Sequence, residues 1–451
     1  MSMATTEAGL PQDASYARMV GTIADPLLRH RPGRRYWIAL LLAFLATLGF
    51  AGCVTWLFVR GIGIYGNNTI VVWGFPIANY VWWIGIGNAG TLISALLLLT
   101  RQSWRASINR FAEAMTLIAA SIAGLFPILH LGRPYRAYWL APYPNTMELW
   151  PQWRSALVWD FAAIAVYLLF SLFFWYLGLI PDLATLRDRA RGRRSRLIYG
   201  VLAFGWRGSA RHWQRHDAVY KAMAALAVPL VVSVHSVVGL DFAASLMPGW
   251  QETIFPPYFV VGALFSGFAM VVTLAVLLRW GLGLQAVITD RHFDAMGKIL
   301  LAGAIVMGLS YATEWFMGWY AGDHAERELL RFEFAGPYAP LYWAMLACNV
   351  LVPQLLWFRR LRTGLVAVFT IAIAINIGMW LERILIIWNT LSHGYLPSTR
   401  RLFHPTIWDW ATLAGSFGLF AFLFLALVRL VPAVAMHDVN KALYDAKAGE
   451  A

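Results

Sequence analysis

Long apolar runs broken by short polar or basic segments dominate the chain. Ten such runs lie near residues 36–58, 77–99, 111–131, 154–177, 218–245, 256–280, 294–319, 337–358, 364–391 and 409–430. Each reaches the roughly 20 residues that a helix needs to cross a bilayer core. The pattern predicts an all-α integral membrane protein of about ten transmembrane helices, with both termini on one side. Residues 1–35 then form a polar N-terminal segment, 36–432 the transmembrane domain and 433–451 a C-terminal tail.

Six ionisable residues interrupt these runs: His130, Asp160, Asp241, Glu314, Glu382 and Arg383. A charge at the centre of a bilayer costs about 2.5–3.5 kcal/mol on insertion scales, so such residues usually face a protein interior or a watery cavity. Here all six fall near the same ends of their runs. The other ends are nearly free of charge, apart from Glu113 close to the start of the third span. The alternative to chemistry is packing, with Arg383 neutralising Glu382 or one of the aspartates. Interhelical hydrogen bonds average only about 0.6 kcal/mol, poor compensation for burying so many ionisable groups.

Composition supports the membrane reading. Of 451 residues, 60% are hydrophobic and only 13% charged, about half the charged share of a soluble domain. The net charge of +13 invites a nucleic-acid partner, but in a membrane protein arginine and lysine fix orientation. The N-terminal segment, the loop with Arg101, Arg105 and Arg110, the segment 181–217, Arg291, the Arg359–Arg360–Arg362 turn and the tail lie on one side, predicted to be cytoplasmic. The charged layer then faces outward, toward the periplasm of a bacterial inner membrane. No apolar core with a cleavage site precedes residue 36, so no signal peptide is expected. Segment 181–217 holds nine arginines and a His212/His216 pair; the arginines repel a cation, and a basic loop contacting lipid phosphate is expected. Cys53 and Cys348 are far apart, without metal, iron–sulfur or haem-attachment spacing. No metal site, haem or cluster is expected on this chain.

With His130 and His235 the only histidines clearly inside spans, a multi-haem cytochrome is not indicated, and His235 suits a helix–helix hydrogen bond. A histidine, carboxylates and aromatics at one membrane surface suit a lipid-soluble quinol, whose hydroxyl protons must leave as its electrons do.

The stretches 129-LHLGRPYRAYW-139, 142-PYPNTMELWPQWRSALVWDF-161, 178-GLIPDLATLRDRARG-192, 205-GWRGSARHW-213, 234-VHSVVGLDFA-243 and 376-NIGMWLERILI-386 resemble the NrfD polysulfide-reductase membrane-subunit family. Within it the chain is most similar to the larger quinol-binding subunit of alternative complex III. The resemblance runs from about Tyr36 to Pro432; one departure is Gln251-Glu252, where a smaller polar pair is expected. It implies two four-helix bundles plus an extra helix pair, and oxidation of menaquinol or ubiquinol near the periplasmic face. Implied partners are a periplasmic iron–sulfur subunit, c-type cytochrome subunits, a second NrfD-like membrane subunit and small membrane subunits. The family's quinol-site residues match His130, Asp160, Asp241 and Arg383.

Taken together, His130 and Asp160 are assigned to hold the quinol head and accept its first proton, a role open to imidazole or carboxylate within hydrogen-bond reach. Asp241 is assigned the second transfer, and Arg383 the positive charge that favours ionised carboxylates. Tyr135, Trp159 and Phe242 are candidate walls for the ring, and His235, Glu314 and Glu382 candidate supporting or proton-exit groups. Two other readings use the same residues: a quinone-linked anchor of a molybdenum reductase, and a proton-translocating subunit.

Overall fold

A computed structural model describes residues 6, 8–11, 14–29, 31–141, 153–154, 156–321 and 323–449. Positions 142–152 and 155 of the motif at 142–161 therefore lie outside the described residues. Among the described residues, ten helices are long and apolar enough to cross a membrane: Arg34–Arg60, Phe75–Leu99, Asn109–Leu129, Val158–Arg189, Ala210–Ala243, Phe255–Gly281, Asp290–Tyr320, Ala339–Trp357, Leu365–Ser392 and Ile407–Leu430. The protein is an all-α integral membrane protein.

Spans two to five pack as one four-helix bundle, spans six to nine as a second, and the first and tenth spans as a separate pair. The second and sixth spans join the bundles. The second span is central, with 83% of its apolar window buried, and small residues let its neighbours approach closely. A Cβ at Gly90 would collide with the backbone carbonyl of Ala112 on the third span, and one at Gly267 with the side chain of Ala89. Without a hydrophobic force between helices in lipid, such close backbone packing is a main source of association.

Three elements differ from expectation. The segment 181–217 is largely helical: the fourth span runs on to Arg189, a helix covers Arg193–Leu202, and the fifth span starts at Ala210 behind Ser209, whose hydroxyl accepts from His212 N at 3.3 Å. Leucine, alanine and arginine carry helix readily past the apolar window. His216, from the candidate pair, is buried; its Nε2 donates to Leu177 O at 3.1 Å and its ring stacks on Tyr220. The eighth span is broken, with α-helix at Ala339–Leu346, a π turn at Ala347–Leu351 and a 3-10 turn at Val352–Trp357. Pro353 removes one donor there.

The third difference concerns charge at the terminus-bearing face, expected to hold little beyond Glu113. Arg105 and Arg110, read from the sequence as loop cations, are 6% and 3% exposed. Arg110 bridges Glu113 at 3.3 Å and Asp182 at 3.2 Å, while Arg105 pairs with Asp438 at 3.1 Å. Ser94 and Tyr220 hydroxyls both donate to Glu113. Asp438 belongs to the C-terminal helix Met436–Gly449, which packs on the N-terminal helix Tyr16–Leu28. Burial alone would raise the Asp438 carboxyl, but Arg105 and Arg110 hold it below its usual range.

Candidate functional site

At the opposite, distal face, three helices bring Tyr80, Asp160 and Asp241 together. Asp160 lies in the first turn of the fourth span and Asp241 in the last turn of the fifth, so the antiparallel helices deliver both carboxyls to one depth. Tyr80, near the distal start of the second span, donates to Asp160 Oδ2 at 2.7 Å. The two carboxyls face one another within hydrogen-bonding reach, and apart from that mutual contact one oxygen of each is buried without a partner. Buried polar atoms are nearly always satisfied, and a proton shared between the two facing carboxyls, or a donor brought by a ligand, satisfies these oxygens. A facing carboxyl pair is also suited to taking and passing protons one at a time.

The residue after Asp241 belongs to a buried aromatic cluster. Phe242, next to Asp241 in the chain, is 2% exposed; it meets Trp250 at 5.0 Å and Phe259 at 5.4 Å, with Trp73 stacked on Trp250 at 6.1 Å. Tyr135 and Trp159 lie outside this buried cluster, being 63% and 48% exposed. Trp159 directly precedes Asp160 on a helix, and adjacent helical residues point about 100° apart, so burying Asp160 turns the indole outward.

His130 caps the third span, its N–H donating to Phe126 O at 3.0 Å. The next residues explain the HLGRP motif: Gly132 takes a positive φ of 75°, open to glycine at little cost, and Pro134 starts a 3-10 turn. His130 is half-buried, next in the chain to a cavity of about 510 Å³ lined by Leu131, Gly132, Arg133, Arg136 and Leu140.

Arg383 belongs to a second cluster. Its guanidinium pairs with Glu382 at 3.0 Å and lies 4.1 Å from the Phe259 ring centroid, a cation–π arrangement that favours a desolvated guanidinium. Glu382 also accepts from Tyr311, and Asn349, in the π turn of the eighth span, donates to the Tyr311 hydroxyl at 2.9 Å. The counter-ion role expected for Arg383 toward the aspartates is therefore directed first to Glu382. His235 sits between the clusters, hydrogen-bonded to Asn88 and 6.4 Å from Phe259, the interhelical bond expected of it.

Glu314 interacts electrostatically with Glu333, Glu252, Glu382 and Glu326. These carboxyls come from the segment leading into the sixth span, the helix His324–Ala335 and the seventh and ninth spans. Burial pushes the Glu333 carboxyl up to about 8, with Glu252 and Glu326 adding to the rise, and Glu252 up to about 7, with Glu326 adding. Near-neutral carboxyls can load and release protons at ordinary pH. Glu252 is half of the pair that departs from the family pattern.

Sequence reasoning missed Tyr80, Asn88, Tyr311 and Asn349 because it sought charge. Neutral polar residues within apolar runs were the available signal, and Asn79, Asn88, Asn349 and Asn376 all carry it.

A family model for polysulphide reductase, NrfD, matches residues 64–392. The chain is 28% identical over 268 residues to a Halobacterium salinarum protein assigned as a membrane subunit of dimethyl sulfoxide reductase, covering 59% of this chain and 56% of that one. It is 24% identical over 417 residues to a selenate reductase subunit of Mesobacillus selenatarsenatis, covering 87% and 93%. The matched family segment takes in the third and ninth spans and both members of the carboxyl pair, and by that match the chain belongs to the polysulphide reductase NrfD family.

Proposed function

We propose that this chain is the membrane subunit of a respiratory or photosynthetic electron-transfer complex of the alternative complex III type, binding quinol near the periplasmic face and oxidising it. The observation that carries the reading is the buried, facing Asp160–Asp241 carboxyl pair, with Tyr80 donating to Asp160. Quinol oxidation releases two protons and two electrons. His130 and Asp160 hold the head and take the first proton, and Asp241 takes part in the second transfer. The electrons leave to a partner iron–sulfur subunit and then to c-type haems. Glu382, Glu314 and the distal carboxyls provide a route by which protons reach the outside.

The test uses the complex purified with its partners and placed in vesicles of known orientation. Quinol turnover should release protons on the distal side; scalar uptake from the terminus-bearing side contradicts the assignment. Tyr80→Phe, which removes one hydrogen bond to a carboxylate worth about 1.5–3 kcal/mol, should lower kcat/KM about tenfold or more while the complex still assembles. Unchanged kinetics would remove Tyr80 from the site. The two relatives are reductase subunits by name, and an anchor of a molybdenum reductase would use the same carboxyls. Co-purifying proteins separate the two: pentahaem or monohaem cytochromes support the first, a molybdenum protein the second.

A specific observation favours proton translocation as an additional property. The second span carries polar groups along its length: Tyr80 at Asp160, Asn88 at His235, Thr91 donating to Ser171 at 3.2 Å, and Ser94 donating to Glu113. Tyr167 donates to Gly87 O at 2.8 Å beside this file. Proton relays in membranes are built from such stepping groups. Thr91→Val should lower the protons moved per electron while leaving quinol oxidation intact; an unchanged ratio rejects the route.

A further inference from the structure

A groove of about 950 Å³ separates the first and tenth spans from the sixth and ninth. That volume lies in the range of specific ligand sites, about 300–1,000 Å³. Its terminus-side half is lined by Ala39, Leu277, Ala421 and Phe424, and Trp82 contributes from the second span. At the terminus-bearing face it adjoins a second cavity of about 610 Å³, with Tyr36, Gly281 and Leu282 common to both. The chemistry changes sharply across that junction. Arg35 lines the groove, and Arg18, Arg31 and Arg429 line the outer cavity. Asp25 is the acidic residue among the lining, and Arg29 pairs with it at 3.4 Å. Arg35 lies 5.9 Å from the Trp280 ring and Arg429 5.6 Å from that of Tyr36, the aromatic–arginine layer typical of a headgroup region.

An apolar slot open along its side to the bilayer, ending in an excess of arginine, has the two-part chemistry of one molecule: acyl chains attached to a phosphate. We propose that the groove holds a tightly bound anionic phospholipid, with an acyl chain against Ala39, Leu277, Ala421 and Phe424 and its phosphate among Arg35, Arg31 and Arg18. The charge excess favours an anionic headgroup over a zwitterionic one. A single-span helix from a partner would fill the slot but leave the arginine mouth unanswered, and a quinone tail brings no anion. The lipid would complete the packing between the helix pair and the bundles, so that the pair is mortared to the rest of the protein by a lipid as well as by side chains.

The experiment measures lipid retained by the complex after exhaustive washing in mild detergent, by phosphorus assay and mass spectrometry. The complex with the natural chain should keep about one anionic phospholipid per copy of this chain beyond that of its partners. Two independent variants should lower that retention: Ala421→Trp, which fills the slot, and the surface pair Arg31→Gln with Arg35→Gln, which leaves the slot open and removes two charges. The arginine pair should weaken binding about tenfold or more. Arg31 and Arg35 are exposed, so their replacement leaves the fold intact and the measurement informative even if Ala421→Trp fails to assemble. Retention unaffected by the arginine pair, recovery of a zwitterionic lipid or a quinone from the slot, or no stoichiometric lipid overturns the proposal.

Discussion

Asp160→Asn should abolish quinol oxidation in the assembled complex, lowering kcat at least about a hundredfold, in line with the roughly 10²–10⁴-fold typical of a positioned acid–base group. Asparagine keeps the size of the side chain and can still accept from Tyr80, whose hydroxyl now sits 2.7 Å from Asp160 Oδ2. What it cannot do is carry the proton. Near-isosteric replacement therefore separates proton transfer from packing, and His130→Ala, at the cap of the third span, should give a comparable loss by removing the imidazole. The measurement is steady-state quinol oxidation, with assembly checked by the recovery of every partner protein. Full activity in both variants would refute the assignment of these residues to quinol, whatever the partner complex proves to be.

Arg110→Met should prevent stable assembly of the chain. It leaves Glu113 and Asp182 buried at the terminus-bearing face without the cation that bridges them at 3.3 and 3.2 Å. Removing one partner of a buried ion pair costs about 3–5 kcal/mol because the remaining charge is stranded. The loss here involves two carboxylates at once, so the effect should sit at or above the top of that range. Folded yield and thermal unfolding in detergent are the readouts. The triple change Arg110→Met, Glu113→Gln and Asp182→Asn should recover part of the loss, since neutral amides are less costly to strand than charges. A natural melting temperature in Arg110→Met alone would mean that the network does not hold the helices together.

The architecture was legible because lipid imposes a simple requirement: about 20 apolar residues per crossing. All ten spans follow from it. The charged residues of the distal layer were legible for the same reason, as interruptions in an apolar text. Their partners were not. Nothing in one sequence says that Asp160 should meet Asp241 while Arg383 turns to Glu382, because that choice depends on how helices rotate against one another. Arg105 and Arg110 were misread for a different reason. Counting basic residues at span ends identifies a face but does not distinguish an arginine in solvent from one folded back under the helices by a short 3-10 turn at Ser103–Ser107. Asp182 escaped notice because the fourth helix continues beyond its apolar window. The π turn of the eighth span, which presents Asn349 to Tyr311, follows from packing: a Cβ at Gly378 would collide with Asn349 Oδ1 and the Cys348 side chain.

The helix Met436–Gly449 bears on the order in which the protein can be built. Its Asp438 reaches Arg105 at 3.1 Å and accepts from Asn109 at 2.7 Å, and the N–H of His437 donates to Asp182. These contacts close the charge cluster between the second, third and fourth spans, yet this helix follows all ten spans in the chain and is made after the early spans have entered the membrane. The early spans therefore enter the membrane with that cluster unsealed, and Arg105, Asn109 and Asp182 gain these partners only when the helix docks.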